Sequence, residues 1–145
     1  MNSGVKLTTD EIQYIRLFEG VTGATSKDVV VDEKSSRVIF VIKAGDIGLA
    51  IGKKGSNVKR VEEVLRKEVE IVEYSESPED FVKNTLAPAR IKSVKIAEKK
   101  EGHKVAVVTV EPKDRGLAIG KNGKNVARAR LLSSRHFGIN DVVIT

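Results

Sequence analysis

The sequence predicts an α+β protein made of two copies of one small unit, each running α-β-β-α-α-β. Three observations predict it. Residues 46–60, DIGLAIGKKGSNVKR, and 114–128, DRGLAIGKNGKNVAR, agree at eleven of fifteen positions at a spacing of 68 residues, and a repeat of that quality redefines the domains. Paired β-rich runs precede each window, and segments of helical period bracket those pairs. The expected units are 1–75 and 76–145 of the 145-residue chain. They join at Ser75–Ser77, a connection too short for a flexible tether, so the two are expected to pack in a fixed relation.

The elements follow in chain order. Thr8-Thr9-Asp10-Glu11 has the form of a capping box, and Ile12, Ile15 and Phe18 recur at helical spacing, which predicts a helix over 8–20. In the second copy Ser77 is the N-cap candidate, Pro78 occupies the first turn, and Pro88 stops the helix. KDVVVDE and RVIFVIK predict a hairpin around Ser35-Ser36, and RIKSVKIAE and KVAVVTVE another around Lys99–Lys104 with Gly102 in the turn. Each repeated window then starts at an aspartate suited to cap a short helix (Asp46, Asp114), breaks at Gly-X-X-Gly and resumes as a second helix. That helix is expected to bury Val58, Val61, Val64 and Leu65 in the first copy, and Val126, Ala129 and Leu132 in the second before Gly138 ends it. VEIVEY and DVVIT close the units as short strands.

Composition excludes several function classes. The chain has no cysteine, which removes disulfides, thiol nucleophiles and thiolate metal sites. Its two histidines, His103 and His136, are isolated and expected at the surface. No metal site and no cofactor is expected. The N-terminal run has neither a signal-peptide layout nor an apolar stretch long enough for a bilayer, so the reading is a soluble, cytoplasmic protein without membrane contact. Lys and Arg number 26 against 20 acids, a net charge of +6, which suits an anionic partner without proving one.

Two glycines between short helices can simply make a tight turn. The residues between them say more: Lys53-Lys54 in one copy and Lys121-Asn122 in the other. A turn without a Cβ, leading into a helix, brings backbone N–H groups and the positive end of the helix to the surface. Lysines on such a turn neutralise phosphate without reading bases. Of the phosphate ligands, mononucleotides are disfavoured, since neither GLAIGKK nor GKNGKN meets the G-x-x-x-x-G-K-[ST] loop, and no G-x-G-x-x-G is present. Nucleic acid remains.

The αββααβ order with GxxG between adjacent helices resembles the type II KH domain, whose loop clamps the nucleic-acid backbone. Two such domains in tandem, with GLAIGKxG windows, resemble the archaeal NusA-like transcription factors, and the resemblance spans nearly the whole chain. It implies a three-stranded mixed sheet with helices on one face of each unit. It also implies binding of single-stranded RNA, in particular a nascent transcript, in control of termination and elongation, without enzymatic activity. Contact with RNA polymerase is implied by the resemblance alone. The backbone-contacting residues it implies are Gly52, Lys53, Lys54 and Gly55, and Gly120, Lys121, Asn122 and Gly123. Lys59, Arg60, Lys124 and Arg128 on the following helices extend the set. The LAI segments beside each loop should flank a shallow groove for bases, with Ile51 and Ile119 turned mostly to the core. Aromatic stacking is a minor device at 4% aromatics. The alternatives are a KH subunit of a ribosomal or RNA-processing complex and, from a different class, a nucleotide-binding enzyme.

Charge divides unevenly. Residues 1–75 carry 12 basic and 12 acidic side chains, and residues 76–145 carry 14 and 8. The second loop is therefore expected to supply more of the electrostatic affinity.

Overall fold

The computed structural model describes residues 5–145; the first four residues of the expected 1–75 unit lie outside it. The chain divides into two compact units, one of Lys6–Tyr74 and one whose continuous body is Ser75–Thr145.

In the first unit, α1 spans Thr9–Thr22. Its capping box is made in full: Glu11 N donates to Thr8 Oγ1 at 3.2 Å and Thr8 N to Glu11 Oε1 at 2.8 Å. The helix runs two residues past the expected Gly20, because it is Gly23, not Gly20, that takes the left-handed conformation (φ 76°) and caps it by donating to Glu19 O. Strands β1 (Ser26–Asp32) and β2 (Arg37–Ile42) pair antiparallel, and β3 (Glu68–Glu73) adds parallel to β2. β2 is the central strand and is buried along its whole length. Short α2 (Ile47–Ile51) and longer α3 (Ser56–Leu65) lie between β2 and β3.

The second unit repeats the plan with α4 (Pro78–Thr85), β4 (Ile91–Glu98), β5 (Lys104–Val110), α5 (Arg115–Ile119), α6 (Lys124–Phe137) and β6 (Asp141–Ile144). Ser77 caps α4 by accepting from Asp80 N at 3.3 Å. β5 is central, antiparallel to β4 and parallel to β6. Each unit is thus a three-stranded mixed sheet with three helices.

The cores occupy matching positions, filled with different side chains except at Ala50 and Ala118. Val38, Phe40, Ala50 and Val61 of the first unit correspond to Ala106, Val108, Ala118 and Ala129 of the second, and all eight are buried. The first core closes around Phe18 stacked on Phe40, ring centroids 4.3 Å apart; the second uses Phe81 against Phe137 at 5.3 Å, with His136 edge-on to Phe81.

One expected core residue, Val64, is exposed, as is Ile12 of the Ile12-Ile15-Phe18 series, for one geometric reason. At about 100° per residue, Ile12 lies about 120° around α1 from Phe18, and Val64 about 120° around α3 from Val58, at the border of the apolar stripe or beyond it. Ile12 is 41% and Val64 56% exposed. Val61 is fully buried, and Val58 and Leu65 pack against the core partly buried. In the second unit Val126, Ala129 and Leu132 are all buried and Gly138 caps α6, as expected.

Candidate nucleic-acid interface

Each site is a break between two helices on one continuous turn. α2 ends at Ile51, and Gly52 (φ 74°, ψ 176°) adopts a conformation open essentially only to glycine. A Cβ there would also stand 2.6 Å from Asn57 Cγ. The crowding is constructive: Asn57 Nδ2 donates to Leu49 O at 2.8 Å, reaching back across the turn to a carbonyl left open at the end of α2. The second copy repeats this, with Gly120 against Asn125 and Asn125 Nδ2 on Leu117 O at 2.8 Å. The asparagine therefore sets the angle at which one helix leaves the other. Its recurrence at the same place in both windows is the sequence signal for this role.

Between the glycines, Lys53 is right-handed and Lys54 left-handed (φ 55°, ψ 31°), and Gly55 follows left-handed at φ 77°. Asn122 (φ 57°) and Gly123 (φ 72°) repeat the pattern. A right-handed residue followed by a left-handed one turns successive N–H groups to one side, forming an anion-binding concavity. Neither α3 nor α6 has a side chain accepting its first N–H groups, since Gly55 and Gly123 occupy the N-cap positions. Within the turn Gly55 N and Gly123 N donate to Gly52 O and Gly120 O at 3.2 and 3.0 Å, and Ser56 N and Lys124 N to Lys53 O and Lys121 O. What each loop presents to an approaching anion is therefore the positive end of a helix that no side chain caps.

Asp46 and Asp114 do not cap the short helices: neither side chain bonds to a helix N–H. Asp46 Oδ2 accepts from Thr25 N at 2.9 Å, and Asp114 Oδ2 from Arg90 N at 2.7 Å. Both carboxylates tie the entrance of the window to the backbone just ahead of the first strand of its own hairpin. That bond from Arg90 N, reinforced by the Arg90 guanidinium at 3.2 Å, holds the Asp114 carboxyl below its ordinary range.

The expected contact residues separate on exposure. Lys53, Lys54, Lys59, Arg60, Lys121 and Asn122 are exposed, and Lys124 is half-buried. Arg128 is not at the surface. It is 7% exposed, with Nε donating to Thr85 O at 2.9 Å and Nη2 to Ala87 O at 3.4 Å. Its guanidinium satisfies carbonyls at the C-terminal end of α4, which is an internal role, and it leaves the set of RNA-contact candidates. Arg130 is exposed and paired with Asp141 at 3.0 Å.

Beside the loops, Leu49 (54% exposed), Ile51 (41%) and Leu117 (44%) offer apolar surface, and Ile119 is half-buried. The core member of each LAI segment is Ala50 or Ala118, both fully buried, rather than the isoleucine. The inward face of α2 is Ile47 and Ala50, three residues apart, and that of α5 includes Ala118, so the isoleucine that ends each helix lies off it. Among the described residues no three or more His, Asp or Glu side chains are grouped to hold a metal ion, and no helix is long and apolar enough to cross a membrane.

Comparison with known proteins agrees with this fold. Residues 12–77 match the KH domain and residues 78–143 the NusA-like second KH domain. The chain is 40% identical to the probable transcription termination protein NusA of Methanococcus vannielii over 97% of its own length and 79% of the relative's. It is 41% identical to the protein of the same description from Halococcus morrhuae, over 95% and 96% of the two chains. The crystal structure of APE1850 superposes with a TM-score of 0.86 at 42% identity, covering 96% of this chain and 100% of the other. With both units matched and the similarity covering from 79% to 100% of these relatives, the chain belongs to the family of archaeal NusA-like proteins with two tandem type II KH domains.

Proposed function

We propose that this protein holds single-stranded RNA by its phosphate backbone at both GxxG loops, with a nascent transcript as the ligand and control of transcription termination and elongation as the purpose. The observation that carries the reading is the duplicated loop: a right-handed then left-handed turn, a helix N-terminus that no side chain caps, and exposed lysine, Lys53 and Lys54 in one unit and Lys121 in the other, occur together in both units. Phosphate contacts of this kind hold a strand without selecting its sequence. Exposed Leu49, Ile51 and Leu117 give bases an apolar surface beside the clamp, so any base preference arises from groove shape and hydrogen bonding rather than aromatic stacking. No catalytic step is assigned to the chain. Contact with RNA polymerase is included on family membership alone.

The test is RNA binding by a variant with all four central loop residues replaced by Asp (Lys53, Lys54, Lys121 and Asn122), its fold checked by circular dichroism. These side chains are exposed, so the fold should survive. Affinity for single-stranded RNA is expected to fall about a hundredfold or more at one salt concentration, since four side chains beside phosphates become anionic. Unchanged binding by the folded variant would contradict the site.

A further inference from the structure

The two loops have nearly the same sequence, and they do not have the same charge available. Position by position at the spacing of 68, Lys54 faces Asn122, Lys59 faces Ala127, and exposed Arg60 faces buried Arg128. In the first unit Lys53, Lys54, Lys59 and Arg60 are all exposed. None of the four has an ion-pair or hydrogen-bonding partner for its side chain among the described residues. In the second unit the equivalent stretch offers exposed Lys121 and half-buried Lys124. Arg128 is committed to Thr85 O and Ala87 O, and Arg130 to Asp141. The excess of six positive charges in the second half is therefore not concentrated at its loop. The opposing groups on α3, Glu62 and Glu63, lie further from the loop than Lys59 and Arg60, and Glu62 Oε2 is engaged by Val69 N at 3.0 Å.

We infer that the first loop, with Lys59 and Arg60 on the opening turns of α3, is the electrostatic anchor for the RNA, and that the second loop is a low-charge site whose grip comes from its N–H concavity and apolar flank. This reverses the order that charge counted by halves suggests, and it rests on the RNA-binding reading above. Phosphates neutralised by lysine or arginine release counterions, and for single strands each lowers the slope of log K against log salt by about 0.7. The anchor should therefore dominate the salt dependence.

The experiment measures binding of a single-stranded RNA between about 50 and 200 mM salt for the wild type and three variants. Lys53→Gln, Lys54→Gln, Lys59→Gln and Arg60→Gln combined are expected to flatten the slope by about 2 to 3. Lys121→Gln with Lys124→Gln is expected to flatten it by about 1. Asn122→Lys with Ala127→Lys, which supply the second loop with the two cations it lacks, should steepen it by about 1. A second-loop pair that flattens the slope as much as the first-loop set would overturn the hierarchy while leaving RNA binding in place. A wild type that binds no RNA, or a slope indifferent to all three variants, would instead remove the RNA-binding reading and the hierarchy with it.

Discussion

Gly52 and Gly55 bracket one loop and answer to different constraints. A side chain at Gly52 meets Asn57 at 2.6 Å in a backbone region that L-residues avoid, whereas at Gly55 nothing lies within 4 Å and only the left-handed backbone resists. Gly52→Ala is expected to destabilise the protein by about 2 to 4 kcal/mol, and Gly55→Ala by about 1 kcal/mol. Equilibrium urea unfolding reads both. Lys54 bears a similar backbone strain at φ 55° without glycine's freedom, while the second copy has Asn122, which tolerates that region better. Lys54→Asn is accordingly expected to raise stability by about 0.5 to 1 kcal/mol while lowering RNA affinity. A stability gain accompanied by unchanged affinity would mean that the Lys54 charge does not reach the RNA.

At the scale of elements, the repeated Arg60 and Arg128 show what a sequence alignment of the two copies hides. They occupy the same place on α3 and α6, yet one guanidinium is in solvent and the other terminates α4. Arg128→Met should cost about 2 to 3 kcal/mol, because it leaves the buried Thr85 carbonyl without its charged donor, and Arg60→Met about 0.5 kcal/mol or less. Thermal and urea unfolding of the two variants make the comparison. The hairpins carry a pH dependence of their own. Burial pushes the Asp32 carboxyl up, but the Arg37 hydrogen bond at 2.9 Å and its charge outweigh that, so the folded value is below the ordinary 3.8. Asp114 is lowered by Arg90 in the same sense. Carboxylates depressed in the folded state stabilise it above their unfolded pKa and lose that contribution as pH falls through the folded one. Stability is therefore expected to decline below about pH 4, and Asp32→Asn should shallow the decline. An acid-unfolding profile identical in the two proteins would contradict the assignment.

Over the whole molecule, the order of elements and both loops were legible because they depend on local signals: a capping box, period-two strands, paired glycines and a repeat that states the plan twice. What escaped is set by tertiary partners. Nothing in a linear reading distinguishes the Arg128 that reaches α4 from the Arg60 that does not, or reveals that Asp46 and Asp114 bond to the hairpin entrance instead of their own helices. Val64, expected in the core, and Ile12 are both exposed because a spacing of three, repeated, drifts off the apolar face. Net charge failed as a guide for the same reason: a count by halves does not see which cations are buried or paired. The central claim, that both GxxG loops hold RNA through their backbone, is tested most directly by following backbone amide NMR signals during titration with a single-stranded RNA. The amides of Lys54, Gly55, Ser56 and Asn57, and of Asn122, Gly123, Lys124 and Asn125, are expected to shift together in the two units. Shifts confined to other surfaces, with these eight signals unmoved at saturation, would contradict it.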